Sequence, residues 1–260
     1  MITIFTTPKP LEGHNLTSFL NVLGTWQRLV PKPEIIVFEE HLPESVLDMG
    51  VRQVKEYPHN ERGLPYANGL FNIAQEIATN DILMYANDDM LFLQNLISAI
   101  RAVDDVFKYF LLVGRRWDVS LASLIDFADA TWEAKLRQRV EKRGELHSPA
   151  GMDYFVFRRP LPWELPPMFV GRPRWDGWVL SRSWASGVPI IDGTTGVTAI
   201  HINHNYAHVP GGLHPNRTKL DEWKHNQKTF RQTGAEGDYA VLMTKVSWCK
   251  VSPEGTVRRK

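Results

Sequence analysis

Along the first 113 positions, apolar residues recur in two alternating rhythms. Ile2–Thr6 is a short β-branched run that predicts a strand. Leu16, Phe19, Leu20, Leu23 and Trp26 repeat at helical spacing and predict a helix over 16–29, which Pro31 and Pro33 end. Glu34–Phe38 is an apolar run of the kind found in buried parallel strands. Ala67, Leu70, Phe71, Ala74, Ile77 and Ala78 form one stripe and predict a helix over 66–78. A turn at Thr79-Asn80-Asp81 leads into a second buried strand, Ile82–Ala86. Leu93, Leu96, Ile97, Ile100 and Val103 mark the next helix, and Tyr109–Val113 a third strand. Strands separated by helices imply right-handed crossovers and a mostly parallel, Rossmann-like sheet covered on both faces.

Beyond position 113 the rhythm changes. Residues 114–150 are irregular apart from a charged helix over 133–143. A strand is predicted at Tyr154–Phe157, followed by a long loop punctuated by Pro160, Pro162, Pro166, Pro167 and Pro173. A helix over 176–186, short strands at 188–191 and 197–202 and a polar helix over 219–232 complete the pattern. No linker is visible. The pattern implies one α/β domain over 1–260, with a nucleotide-binding half (1–113) and a loop- and Trp-rich half (114–260).

Composition narrows the class. With 260 residues, 43% of them hydrophobic, the chain can bury a sizeable core. Thirty Lys and Arg against 29 Asp and Glu leave a net charge of +1, which gives no general pull toward nucleic acid. Arg115, Arg116 and the 135–143 segment make a local basic region, read as a solvated helix face, with an anionic acceptor or a membrane surface as the rarer alternative. The single cysteine, Cys249, excludes an internal disulfide and a thiolate metal cage. No apolar run approaches the ~20 residues of a membrane span, and no signal peptide is visible. The expectation is a soluble cytoplasmic protein, with peripheral attachment at the membrane left open.

Three groups of residues suggest chemistry. Asn87-Asp88-Asp89 follows a buried strand, where ligands bind in open α/β sheets. Adjacent carboxylates there suit Mg²⁺ or Mn²⁺ beside substrate phosphates, or else one of them caps the next helix. Asp176 lies between Trp175 and Trp178 at a helix start. It reads either as a helix cap or as a general base that takes a proton from an acceptor hydroxyl, with the two indoles stacking on an acceptor sugar. Asp153 is the rival for the base. His201, His204, His208 and His214 fall close together, but their spacing fits no common zinc motif. Tyr206 with Gly211-Gly212 suggests a loop that closes over a ligand.

The order Asn60-Glu61-Arg62-Gly63, Asn68-Gly69, Asp81-Ile82 and Asn87-Asp88-Asp89 resembles the nucleotide-sugar half of GT-A fold glycosyltransferases, especially the family-2-like group. Gly114–Asp118, Gly151–Phe157, Gly171–Trp178 and His201–Tyr206 extend the resemblance to bacterial proteins of glycosyltransferase type, over about residues 1–210. One departure stands out: the usual first acid of the DxD element is Asn87 or Ala86 here. The resemblance implies a metal-dependent hexosyl- or pentosyltransferase that moves a sugar from a nucleotide diphosphate, UDP first, to a saccharide or glycan acceptor, with inversion. It implies Thr6, Thr7, Pro8 and Glu39 around base and ribose, with Arg62, Asn68 and Asp88 also on the donor and Lys9 near a phosphate. It also implies Asp89, Asp88 and His201 or His204 at Mn²⁺ or Mg²⁺, Asp176 or Asp153 as base, and Trp175, Trp178 and Tyr154 at the acceptor. A nucleotidyltransferase of sugar metabolism and a non-catalytic carbohydrate-binding protein are the alternatives.

Overall fold

The computed structural model describes residues 1–149, 151–204, 216–235 and 247–259. The N-terminal rhythm appears as β1 (Ile2–Thr6), α1 (Gly13–Trp26), β2 (Glu34–Phe38), a short α2 (Glu44–Leu47), β3 (Arg52–Val54), α3 (Ala67–Ile77) and β4 (Ile82–Ala86). β5 (Met90–Phe92), α4 (Asn95–Asp104), β6 (Leu111–Val113), β7 (Trp117–Val119), α5 (Trp132–Arg143) and β8 (Glu145–Leu146) follow. The remainder comprises β9 (Tyr154–Arg158), α6 (Trp175–Ala185), β10 (Ile190–Asp192), β11 (Ala199–Ile202), α7 (Asp221–Gln232), β12 (Ser247–Val251) and β13 (Val257–Arg259). Among the described residues, no helix is long and apolar enough to cross a membrane.

Nine strands form one sheet in the order β13-β12-β10-β6-β9-β4-β1-β2-β3. β1 runs parallel to β2 and β4, and β2 to β3. β9 lies antiparallel between β4 and β6. Strands from both halves of the chain therefore share one sheet, and the carboxyl ends of all but the antiparallel β9 and β13 share one edge. Successive residues of each strand feed opposite cores, as the two-residue period of a strand requires. Ile82, Met84 and Ala86 of β4 face α1 and α4, while Leu83 and Tyr85 face α3 and α6. Burial on both sides explains why these strands read as continuous apolar runs rather than alternating ones.

A second sheet, β5-β11-β7-β8, sits beyond the carboxyl end of β4. Three of its strands have three residues or fewer, and the sequence pattern missed β5, β7 and β8. Its register matters most. His201 pairs with Met90 on one side and with Asp118 on the other, and Asp118 pairs with Glu145, two residues before His147.

Candidate active site

β4 ends at Ala86, and the chain turns through Asn87-Asp88-Asp89 into β5. The turn is pinned by two backbone bonds: the Asn87 N–H donates to the Asp153 carbonyl (2.9 Å), and the Ile202 N–H to the Asp89 carbonyl (2.9 Å). Asp88 and Asp89 are both buried, 7% and 5% exposed, so their charges need partners inside the protein. Lys9, from the loop after β1, supplies one. Its Nζ lies 2.5 Å from Asp88 Oδ1 and 2.6 Å from Asp89 Oδ2, and its backbone N–H donates to Asp88 Oδ2 (2.6 Å).

The second sheet brings the histidines to the same carboxylate. His201 Nε2 is 3.4 Å and His204 Nε2 3.2 Å from Asp89 Oδ2. One ligand atom from each of Asp89, His201 and His204 falls within 4.8 Å of the other two. The other oxygen, Asp89 Oδ1, is fully buried and accepts no hydrogen bond from the described residues. A carboxylate oxygen left in that state is costly unless a cation meets it. The residues therefore fit a divalent ion, and two imidazole donors favour Mn²⁺ over Mg²⁺.

Behind His201 stands Asp118, to which the sequence reading gave no role. Its Oδ1 is 2.9 Å from His201 Nδ1, an ion-pair contact off the ideal hydrogen-bond direction. The same carboxylate accepts Arg116 Nε–H (2.9 Å) and lies 2.7 Å from His147 Nδ1. Burial depresses the His201 pKa, but the Asp89 charge and contacts with Asp118 and Asp89 outweigh it and raise the pKa to about 9. Burial would likewise raise Asp89 and Asp118. The Lys9 and His201 charges hold Asp89 well below the usual carboxylate range, and the His201, Arg116 and His147 contacts do the same for Asp118.

Asn87, one of the two positions at which the resembled motif would carry its first acid, is held by contacts that suit an amide. Its Nδ2 donates to Asp153 Oδ1 (2.7 Å), and the Tyr85 hydroxyl donates to its Oδ1 (3.1 Å). An aspartate there could not donate and would face Asp153 as a like charge. Asp153 also receives Arg116 Nη1 on its other oxygen (2.5 Å), so both oxygens are engaged at 7% exposure. Asp153, the alternative base of the sequence reading, thus has both oxygens taken up by Asn87 and Arg116.

The edge beyond β1 and β2 gathers a second group. Glu39 and Glu40 lie close enough to the Tyr57 hydroxyl to perturb it, and the Thr7 side chain hydrogen-bonds it. Burial first, and then the two glutamates, push the Tyr57 pKa up to about 12. No sequence signal singled out Tyr57. Pro8 is half-buried between Thr7 and Lys9. Thr6 Oγ1 at the end of β1, Asn68 Oδ1 in the first turn of α3 and Asp89 Oδ1 are buried polar atoms without a hydrogen-bond partner among the described residues. Arg62 is largely exposed and pairs with Glu222 of α7 (3.2 Å), so its guanidinium is committed there rather than to the Asp88–Asp89 pair.

Asp176 is the second residue of α6, and its Oδ1 accepts the Gly177 N–H (3.0 Å). The chain enters that helix through Arg174 at φ 89°, a left-handed conformation that costs a non-glycine residue ~1–3 kcal/mol. The Tyr85 hydroxyl feels the charges of Asp88, Asp89, Asp153 and Asp176 together. Asp176 therefore shares Tyr85 with the acidic turn. The three aromatic candidates are corrected. Trp175 and Trp178 are 5% and 4% exposed. Trp175 packs against Tyr85 (5.1 Å), Phe155 (5.2 Å) and Phe71 (6.1 Å). Trp178 packs on Trp163 (5.5 Å), and its Nε1–H donates to Thr233 Oγ1 (2.9 Å). Tyr154 is fully buried, with its hydroxyl so close to Gly114 that a Cβ there would clash with it. These rings are core, not an acceptor platform. His208, His214, Tyr206 and Gly211-Gly212 lie outside the described residues.

The chain is similar to solved glycosyltransferases. A crystal structure of glucosyl-3-phosphoglycerate synthase from Mycobacterium tuberculosis with Mn²⁺, uridine diphosphate and phosphoglyceric acid matches at 12% identity and TM-score 0.49, over 91% of this chain and 80% of that one. The same synthase with Mn²⁺, UDP-glucose and phosphoglyceric acid matches at 11% and 0.47. S. aureus TarS (residues 1–349) with UDP-GlcNAc matches at 15% identity and TM-score 0.34 over 45% of this chain. The chain spans only about a third of that TarS fragment, 35%. No protein-family model and no curated protein matches the chain.

Proposed function

We propose that this protein is a glycosyltransferase that moves a sugar from a nucleoside-diphosphate donor, uridine-linked first, to a hydroxyl of a saccharide or glycan. The observation that carries the reading is Asp89. It is a buried carboxylate at the carboxyl end of a parallel strand, with one oxygen unpartnered and the other facing His201 and His204. Asp89, His201 and His204 hold a divalent ion, with Asp88 beside them. Bound there, the ion supplies Lewis-acid stabilisation of the charge that develops on the departing diphosphate.

The remaining roles belong to side chains. Asp118 fixes the orientation of the His201 ring. Thr6, Thr7, Pro8, Glu39 and Tyr57 flank the nucleoside, and Asn68 offers its unpartnered oxygen to the donor. Asp176 takes the proton of the acceptor hydroxyl as that oxygen attacks the anomeric carbon opposite the leaving diphosphate, which inverts the centre. The first half of the chain supplies most of the donor site and the second half supplies the base, although His201, His204 and Asp118 cross that division. Asp176→Asn keeps the size and the Gly177 contact but removes the base. Transfer assayed with purified donor and acceptor is expected to fall by about 10²–10⁴-fold with donor affinity unchanged. Transfer at the wild-type rate removes Asp176 from the role.

A further inference from the structure

The Lys9 ammonium stands between two buried carboxylates, where a cation serving both would stand. Three features make this a built arrangement rather than a stray surface pair. The side chain is itself only 18% exposed. Its own backbone N–H fixes Asp88 Oδ2, so the loop and the ammonium grip the same residue from two directions. Pro8 and Pro10 bracket it and restrict the backbone on either side. Asn15, Ser18, Ile202 and His204 line the same small cleft, and none of these adds a positive charge of the Lys9 kind.

We infer that Lys9 is an internal counter-cation of the donor site, which leaves Asp88 and Asp89 when a divalent ion enters and moves onto the donor's diphosphate. This rests on the donor-site reading above. Two like charges cannot share one carboxylate pair closely, so an entering ion must displace the ammonium. Without a diphosphate, the displaced ammonium loses its ion pair, and ion binding is opposed. With a diphosphate, the ammonium gains a new anionic partner beside the same cleft. Ion and nucleotide then favour each other, and by thermodynamic reciprocity each strengthens the other by one common factor.

The test measures Mn²⁺ binding calorimetrically to the whole chain, with and without UDP, for wild type, Lys9→Met, Lys9→Gln and Asp89→Asn. Lys9→Gln keeps a hydrogen-bond donor in case Lys9→Met does not fold. The expected result is that neutralising Lys9 tightens Mn²⁺ binding without nucleotide by about tenfold or more and shrinks the enhancement by UDP. Wild type must show UDP enhancing Mn²⁺ binding by a larger factor than either Lys9 variant does. Unchanged or weaker Mn²⁺ binding by the Lys9 variants, with Asp89→Asn abolishing it, overturns the role of Lys9 and leaves the site standing. Full Mn²⁺ binding by Asp89→Asn, or no Mn²⁺ uptake by any of the proteins, overturns the site and the Lys9 role with it.

Discussion

Replacing Asp118 by asparagine tests whether the second sheet builds the site or merely adjoins it. The carboxylate meets one guanidinium and two imidazoles: Arg116 Nε at 2.9 Å, His147 Nδ1 at 2.7 Å and His201 Nδ1 at 2.9 Å. At these separations, and at the effective dielectric of a protein's edge, each full charge pair is worth about 6 kcal/mol before desolvation. Two partners have second anchors, since Arg116 keeps Asp153 and His201 keeps Asp89. Asp118 is also 20% exposed, and water screens part of the loss. Asparagine keeps one acceptor oxygen but turns an amide N–H toward donors. The net loss of stability is about 2–3 kcal/mol, about 4–10 °C in Tm for a chain of this size.

The effect on ion binding is separate. Outer partners of a ligating histidine hold its ring orientation and basicity, and losing one costs about 10–100-fold in affinity. Titration of Mn²⁺ into Asp118→Asn with UDP present, below the new melting temperature, is expected to show that loss. An unaltered Mn²⁺ affinity in a folded variant refutes the argument, because the His201 ring would then be held by packing and Asp89 alone.

Two further outcomes follow from the packing and the charges. Trp175→Ala removes a ring enclosed by Tyr85, Phe155 and Phe71 and is expected to cost ~3–5 kcal/mol of stability by denaturant unfolding; a stable variant whose only defect is a raised acceptor KM contradicts the core assignment. Glu34 is opposed by burial but held below its ordinary pKa of 4.5 by the Thr79 N–H, the Thr3 and Thr79 hydroxyls and Arg52. A depressed carboxylate stabilises the fold above its unfolded pKa and loses that contribution as pH falls through the folded one. The stability gap between wild type and Glu34→Gln is therefore full at neutral pH and closes below 4.5; a gap independent of pH refutes it.

What the amino-acid pattern revealed follows from how each part is stabilised. β1, β2 and β4 are buried on both faces, so their apolar runs were plain, and α3 showed its stripe because one face packs on the sheet. Asp88, Asp89, His201 and His204 were legible because carboxylates after a buried strand and clustered imidazoles are unusual on their own. The second sheet was not. β7 is Trp117-Asp118-Val119, and its partners are two to four residues long, too short for a period to show. Asp118 and Tyr57 therefore gave no local signal, since their roles come from register and from a loop that returns to the sheet edge. The error over Trp175 and Trp178 has a physical source as well. An acid flanked by indoles looks like a sugar platform in one dimension, but on a helix the two indoles, three residues apart, both point into the core while Asp176 between them turns elsewhere.

The charges around Asp89 bear on how the site can fill. Asp88, Asp89, Asp118 and Asp153 face Lys9, Arg116 and His201, so four buried or half-buried carboxylates meet three cationic groups in the ion-free protein. On the proposal above, Lys9 could not stay between the carboxylates beside a bound divalent ion, which would take over their neutralisation as the ammonium moved to the diphosphate. Arg116, tied to Asp118 and Asp153 and never titrating, is the fixed cation that keeps the frame in place during the exchange. On this account the acids are close-set because the site is occupied in both states, by the protein's own lysine in one and by an ion in the other.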